Sequence, residues 1–189
     1  MPELILPTLR LRDSWLDARD EWGRGVHQPG SGLHSDDEVD TKAGFSAWIG
    51  RLADEGNAGL PPAAGRVHAD YWWIAEHETY LGCITLRHAL SDFLLRAGGH
   101  VGYAVRPSAR GRGLAAWALR MTFPRARDLG IDRLLVTCDD SNAASARTIE
   151  NTGGVLEDLR WTELGLTRRY WITLYDGGCV RPEAPHGEA

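Results

Sequence analysis

Arginine and glycine alternate at positions 110–113, where a strand-like segment gives way to a helix-like one. A helix that begins near Gly113 leaves its first backbone N–H groups without internal partners, and these groups carry the positive end of the helix dipole. Glycine lets an anion approach the backbone, and Arg110 and Arg112 add charge and forked hydrogen-bond donors. The segment therefore predicts a binding site for a pyrophosphate.

Two better-known phosphate-binding patterns do not fit this segment. A phosphate-loop ATPase requires a Gly-Lys-Ser/Thr ending, which is missing, and a dinucleotide-binding fold requires a third glycine where Ala116 and Trp117 stand. On the six residues from Arg110 to Ala115 alone, a solvated turn whose arginines only improve solubility remains an open interpretation.

Length and composition limit the classes of protein to which such a site could belong. A chain of 189 residues fits one domain, and its 43% hydrophobic and 25% charged residues are ordinary for a globular protein. The net charge of −5 argues against a general nucleic-acid binder, because non-specific affinity for nucleic acid comes from Lys and Arg. No apolar run approaches the ~20 residues that span a bilayer, and no signal-peptide core is visible, so we expect a cytoplasmic protein with neither nucleic acid nor membrane as partner.

The cysteines give no sign of a metal site. Cys83, Cys138 and Cys179 are widely spaced and odd in number, so they form no metal-binding pair, and we expect free thiols in a reducing compartment. Cys83 and Cys138 lie within apolar runs and are expected in the core.

The first third of the chain predicts two helices and two loops. Apolar residues at helical spacing indicate one helix, and an acidic cap with a glycine stop indicates another. In chain order, we expect a helix at 9–22, a loop at 23–37, a helix capped by Asp36 or Asp37 that ends before Gly56, and a loop to residue 70.

The rest of the chain predicts a sheet with helices inserted between strands. Aromatic and β-branched runs predict strands at 71–76, 80–88, 100–106, 133–139, 153–161 and 167–175. Helices are expected at 113–129, with a kink at Pro124, and at 142–152. The prediction is a single α+β domain over residues 1–175, with about four helices flanking a mixed central sheet of about six to seven strands, and a flexible tail at 176–189.

Two motifs in order resemble a known superfamily. The first comprises Val105-Arg106-Pro107 followed by Arg110, Gly113 and Ala115, and the second comprises Asn142, Ser145, Glu150 and Gly153 after the next strand. They resemble the two signature motifs of the GNAT superfamily of acyl-CoA N-acyltransferases, and the surrounding sequence is similar to a bacterial subgroup of it. The motifs cover residues 100–154, and the flanking strands extend the likeness from about 71 to 175.

The resemblance implies that strand 100–106 splays from strand 133–139 and that acetyl-CoA (coenzyme A as the released product) occupies the gap. It implies cofactor contacts for Tyr103, Ala104, Val105, Arg110, Gly111, Arg112, Gly113, Leu114, Ala115, Asn142 and Ser145.

The resemblance also implies roles in catalysis for two of these residues. The backbone N–H of Tyr103 would face the thioester carbonyl as an oxyanion donor. Ser145 resembles a serine that some relatives place beside the thioester sulfur, although a serine in the first helical turn can also simply bond the backbone. Asn142 would either cap its helix or bond the cofactor arm. Ile149 stands where many relatives carry a tyrosine that protonates the sulfur.

A base that accepts the amine proton is not evident from the sequence. Strand alternation places Gly99 and Val101 on the face of Tyr103 and turns His100 away, which argues against His100. His88 is the preferred candidate; Glu76 and Glu157 remain alternatives, and a solvated or structural role is open for all three.

The acceptor pocket is expected at the loops 23–37 and 56–70, as in relatives. Their residues His27, His34, Asp36 and Asp37 could attract a cationic amine. We expect an N-acetyltransferase that acts on a primary amine of a small molecule by direct attack. A catalytically silent acyl-CoA-binding module, a protein N-terminal or lysine acetyltransferase, and a homodimer remain open.

Overall fold

A seven-stranded mixed sheet forms the centre of the computed structural model, which describes residues 1–174. The strands are β1 (Glu3–Ile5), β2 (Ala69–Glu76), β3 (Thr79–Arg87), β4 (Val101–Val105), β5 (Arg133–Asp139), β6 (Val155–Thr162) and β7 (Gly165–Thr173). Their order across the sheet is β1-β2-β3-β4-β5-β7-β6, and β4 and β5 form its parallel pair. The expected tail at 176–189 and Cys179 lie outside the described residues.

Five α-helices flank this sheet. They are α1 (Arg12–Trp22), α2 (Lys42–Glu55), α3 (Leu114–Met121), α4 (Phe123–Asp128) and α5 (Ala143–Glu150). The longest, α2, has 14 residues, and no helix within residues 1–174 is long and apolar enough to cross a membrane.

The α+β architecture that the sequence predicts is confirmed, with local differences in two helices. The helix expected at 113–129 is two helices that meet at Thr122, because Pro124 has no N–H to donate and occupies the first turn of α4 instead. The second helix is capped by Thr41, whose hydroxyl accepts from the N–H of Gly44 at 2.9 Å. The expected cap at Asp36 or Asp37 is wrong, since the carboxylate of Asp37 accepts from the N–H of His34 at 2.7 Å.

Two short elements carry no periodic signal and were not expected. One is β1, which adds three residues to the edge of β2. The other is a wide helical turn at Leu94–Gly98, immediately before β4.

The two faces of the sheet bury two different cores. One face packs aliphatic side chains against α3, α4 and α5. The other packs α1 and α2 through a cluster of aromatic rings, in which Trp15, Trp48 and Trp73 are each no more than 1% exposed. The ring centroids of Trp15 and Trp48 are 4.9 Å apart. Each face of the sheet therefore has its own layer of helices and its own core.

Candidate active site

The parallel strands β4 and β5 part soon after they meet. Val101 and Val136 form their one register pair, and just before it the N–H of His100 donates to the carbonyl of Leu135 at 2.7 Å. Further along, no pairing joins the rest of β4 to β5. The splay that the resemblance implies is therefore present.

The register of β3 against β4 decides which backbone groups enter this gap. The N–H of Arg87 donates to the carbonyl of His100, and the N–H of Arg106 donates to the carbonyl of Leu81, each at 2.8 Å. In an antiparallel ladder with these bonds, Tyr103 and Val105 occupy non-hydrogen-bonded pairs with β3. Their N–H and C=O groups consequently point away from β3, towards the gap.

A cleft of about 1290 Å³ occupies the gap and extends to both faces of the sheet. Of the eleven residues expected to contact the cofactor, ten line it: Tyr103, Ala104, Val105, Arg110, Gly111, Gly113, Leu114, Ala115, Asn142 and Ser145. Arg112 does not line it; its guanidinium forms an ion pair with Glu76 at 2.8 Å.

The start of α3 forms one wall of the cleft. Gly113 caps this helix in the left-handed conformation, with φ +73°, and no side chain caps the first turn. The first intrahelical bond is donated by Trp117 to the carbonyl of Gly113, so the N–H groups of residues 114–116 have no partner in the helix. Gly111 is also left-handed, with φ +78°, and no atom lies within 4 Å of where a Cβ would stand at either glycine. This open, amide-lined turn fits a pyrophosphate.

A hydroxyl pair joins β4 to the first turn of α5 inside the cleft. The Tyr103 Oη atom lies 2.7 Å from the Ser145 Oγ atom. The side chain of Asn142 accepts from the N–H of Ser145 at 3.0 Å and thus caps α5, while it also lines the cleft. Burial raises the pKa of Tyr103 to about 12, so its hydroxyl stays protonated and able to donate.

Cys138 borders the same pair from β5. It lines the cleft with 8% of its surface exposed. Burial raises the pKa of its thiol, against a smaller opposite effect of the hydrogen bond with Ser145. The uncharged thiol therefore contributes an apolar wall beside the hydroxyls rather than a nucleophile.

The structure places none of the expected base candidates in the cleft. His88, the preferred one, has its Nε2 atom 3.0 Å from Asp70 and does not line the cleft, so the geometry gives no support for a catalytic role. Glu76 pairs with Arg112, and Glu157 pairs with Arg169 at 2.7 Å.

His100 is buried, as strand alternation suggested. Its Nδ1 atom accepts from the N–H of Leu135 at 2.9 Å, and only 6% of the residue is exposed. Burial, assisted by the charge of Arg87, lowers the pKa of His100 to about 4. The imidazole is therefore neutral and serves the backbone of β5.

The opposite end of the cleft opens on the face covered by α1 and α2. The loop 23–37 covers it, and His27, Gly30 and His34 line it. A Cβ placed on Gly30 would lie 2.3 Å from the carbonyl oxygen of Gly102, so this loop rests directly on the backbone of β4. Glycine at position 30 makes this approach feasible.

The acidic residues of that loop do not face the cleft. Asp37 pairs with Arg51, which also donates to the carbonyl of Gly32 at 3.0 Å and pairs with Glu55 at 2.7 Å. Asp36 does not line the cleft either. Asp36 faces solvent and Asp37 holds the loop against α2, so neither of the two carboxylates expected to attract a cationic amine lines the cleft.

Four lining residues of this end were not anticipated: Arg66, Tyr71, Thr85 and Arg87. Three of them follow from the hairpin register, since Tyr71 lies opposite Thr85 on β3, and Arg87 shares the face of Thr85 two residues later. Arg66 lies on the connection before β2, and no periodic signal marks it.

Comparison with known proteins agrees with this geometry. Residues 34–155 match the family model described as an acetyltransferase (GNAT) domain. A comparison with curated proteins finds no significant match.

Solved structures share the fold at low sequence identity. The ribosomal-protein-S5-alanine acetyltransferase from Vibrio fischeri is 16% identical with a TM-score of 0.67, and 93% of each chain is covered. The microcin C7 self-immunity acetyltransferase MccE, in complex with acetyl-CoA and AMP, is 14% identical with a TM-score of 0.64; 91% of this chain and 92% of MccE are covered. RimL, an α-N-protein acetyltransferase of ribosomal L7/L12 in complex with coenzyme A, is 15% identical with a TM-score of 0.64, and 92% and 94% are covered.

Proposed function

Since this chain belongs to the GNAT acetyltransferase family, we propose that it transfers the acetyl group of acetyl-CoA to a primary amine of a small molecule, with both substrates bound together. The observation that carries the proposal is that no neighbouring strand pairs with the backbone groups of Tyr103 and Val105 that point into the gap between β4 and β5. A cleft open to both faces of the sheet lets a thioester enter from one side and an amine from the other.

The donor side fits acetyl-CoA through main-chain groups. The free N–H groups at the start of α3, the left-handed Gly111 and Gly113, and the exposed guanidinium of Arg110 suit the pyrophosphate. The backbone of Val105 suits the amide-bearing arm of coenzyme A. MccE and RimL, which share this fold, hold acetyl-CoA and coenzyme A respectively.

Acetyl-CoA supplies the activated acyl group, and residues of this chain position and polarise it. The N–H of Tyr103 points into the gap, where it can donate to an oxygen that gains negative charge. As the amine nitrogen bonds to the acyl carbon and the C–S bond breaks, the hydroxyl of Ser145 can donate a proton to the departing sulfur, and the amine gives up its own proton to solvent in the open cleft. The hydroxyl of Tyr103, 2.7 Å behind it, orients Ser145 and can return a proton to it. This pair would take over the task of the tyrosine that Ile149 replaces.

Two classes of acceptor match the structural neighbours. MccE is named for immunity to a microcin, whereas RimL and the Vibrio fischeri enzyme are named for ribosomal proteins. The loop 23–37 rests on β4 at Gly30 and narrows the acceptor end, which favours a small molecule. A protein N-terminal amine is the second candidate, supported by the names of two of these neighbours.

Release of the coenzyme A thiol tests the proposal. Purified protein is mixed with acetyl-CoA and a panel of small primary amines, and in parallel with peptides that have free N-termini or lysines. We expect thiol release above the amine-free background with at least one small amine, and loss of most of it in Ser145→Ala. Release with peptides alone would favour the protein acceptor. Tight acetyl-CoA binding without release across both panels would favour a silent binding module.

A further inference from the structure

The acceptor end of the cleft carries unbalanced positive charge. Arg66 and Arg87 both line it, and within residues 1–174 neither has a carboxylate partner. The nearby carboxylates pair with a different arginine: Asp37 and Glu55 both pair with Arg51, and Glu55 also accepts from the hydroxyl of Tyr71 at 2.6 Å. These three groups carry one net negative charge, against the two positive charges of Arg66 and Arg87. Among residues 1–174, no acidic side chain pairs with Arg66 or Arg87, and a net positive charge remains at this end.

The carboxylate that does line the cleft lies at its other end. Among the described residues, this is Asp139, which accepts from the N–H of Ser141 at 2.8 Å. It follows Val136 by three residues on β5, and Val136 pairs with Val101 at the end of the gap near Arg87. Three residues of strand correspond to about 10 Å, so Asp139 and Arg87 mark opposite ends of the gap.

The guanidinium of Arg87 is held in place by some of its N–H donors, while others have no acceptor within residues 1–174. Its Nη1 group donates to the carbonyls of Gly98 and Gly99 at 3.1 and 3.0 Å, which fixes the guanidinium at the rim of the cleft. Its Nε and Nη2 groups donate to no acceptor in the described part of the chain. Burial lowers the pKa of Arg87; Tyr71 opposes this effect, and the charge of Arg66 adds a smaller lowering. Two cations therefore lie near each other in a partly buried place, where a bound anion would stabilise both.

We propose that Arg66 and Arg87 bind an anionic group, a carboxylate or a phosphate, on the small-molecule amine that this enzyme acetylates. The forked guanidinium donors match either group, and a charge-assisted pair in a partly buried cleft is stronger than one in water. The acceptor is then an amine whose own anion, rather than the protein, balances the arginines. This inference rests on the proposed function but concerns only the acceptor side of the site.

Two pairs of probes that differ only in an anion test the inference by binding. Glycine is compared with methylamine, and phosphoethanolamine with ethanolamine, by calorimetric titration into protein loaded with coenzyme A. We expect at least one anionic member to bind about tenfold or more tightly than its neutral partner, the range typical of a hydrogen bond to a charged group. Equal binding within both pairs would overturn the inference, even if turnover of other amines supports the proposed function.

Variants separate recognition from folding. Arg66→Gln removes a side chain with no hydrogen-bond partner in residues 1–174, so it should abolish most of the anionic preference while coenzyme A affinity stays unchanged. Arg10→Gln removes the same charge at the surface, where Arg10 pairs with Glu78, and should leave the preference intact. Arg87→Lys keeps the positive charge but loses the paired donors of the guanidinium. It should reduce the preference for the anionic amine less than Arg66→Glu does. Arg66→Glu reverses the charge and should favour neutral or cationic amines.

If Arg66→Gln and Arg10→Gln lose the preference for the anionic amine equally, the preference depends only on the net charge of the protein. That result would overturn the inference. Binding of a peptide with acidic residues, with no preference in either small-molecule pair, would also overturn it in favour of a protein acceptor.

Discussion

The hydroxyls of Tyr103 and Ser145 lie 2.7 Å apart across the cleft, one on β4 and the other in the first turn of α5. This contact ties β4, whose Tyr103 N–H points into the gap, to the first turn of α5. Both side chains line the cleft, and they lie 42 residues apart in the chain.

Removing either hydroxyl should lower turnover more than donor affinity. We expect Ser145→Ala to reduce kcat by about 10- to 100-fold, near the lower end of what a positioned proton donor contributes, because a thiolate is a moderately good leaving group. Tyr103→Phe should reduce kcat less than Ser145→Ala does. If the hydroxyls of Tyr103 and Ser145 act as one unit, the double variant should show about the same reduction in kcat as Ser145→Ala alone. Steady-state kinetics and acetyl-CoA titrations measure both effects; unchanged kcat in Ser145→Ala would exclude it from the mechanism.

An acidic side chain at the start of α3 should weaken coenzyme A binding. Gly113→Asp introduces a negative charge beside the free N–H groups and strains a left-handed position by about 1–2 kcal/mol. Gly130→Asp is a matched control, since Gly130 has the same φ of +73°, the same open space and no place in the cleft. We expect calorimetry to show a loss of affinity for Gly113→Asp that Gly130→Asp does not share. Similar affinities in the two variants would contradict the pyrophosphate site.

The two arginines of the glycine-rich turn should differ in importance. Arg110 lines the cleft, and its Nε donates to the carbonyl of Val105 at 3.3 Å, whereas Arg112 pairs with Glu76. Arg110→Ala should therefore weaken coenzyme A binding more than Arg112→Ala does. An exposed ion pair contributes at most about 1 kcal/mol, so Arg112→Ala should also change the thermal midpoint little. A larger loss of affinity in Arg112→Ala would show that its guanidinium leaves Glu76 to meet the ligand.

Acid should destabilise the protein through His100. The pKa of this buried imidazole is about 4 in the folded state, below its usual value near 6.5. A lowered histidine pKa means that the unfolded chain binds the proton more readily, so stability is complete above pH 6.5 and falls as pH drops towards 4. The shift corresponds to about 3 kcal/mol. His100→Asn, which can still accept from Leu135, should show a shallower decline in the free energy of unfolding between pH 6.5 and 4 by denaturant titration; an unchanged slope would assign the acid sensitivity to other groups.

Most of the residues that the sequence predicts for the donor side line the cleft, because that side is built from local elements. A strand, a glycine turn and a helix start lie within residues 100–121, and their hydrogen-bonding follows from the backbone itself. Asn142 and Ser145 are likewise a helix cap and its first turn. Because such elements depend on neighbouring residues in the chain, their positions can be predicted from the sequence.

The acceptor side was decided by tertiary structure. His34 is distant in the chain from Arg66 and Arg87. All three residues line one cleft because of the register of the strands and because the loop 23–37 rests on Gly102. The same packing pairs His88 with Asp70 and Asp37 with Arg51, so these two residues, which the sequence had favoured, do not line the cleft. Whether a polar side chain faces a cleft or a neighbouring side chain depends on long-range partners, and residue type alone does not encode them. By itself, the chain's order of residues determined the family, the fold class and the glycine-rich turn at the start of α3; the three-dimensional arrangement decided which charged side chains line the proposed acceptor end of the cleft.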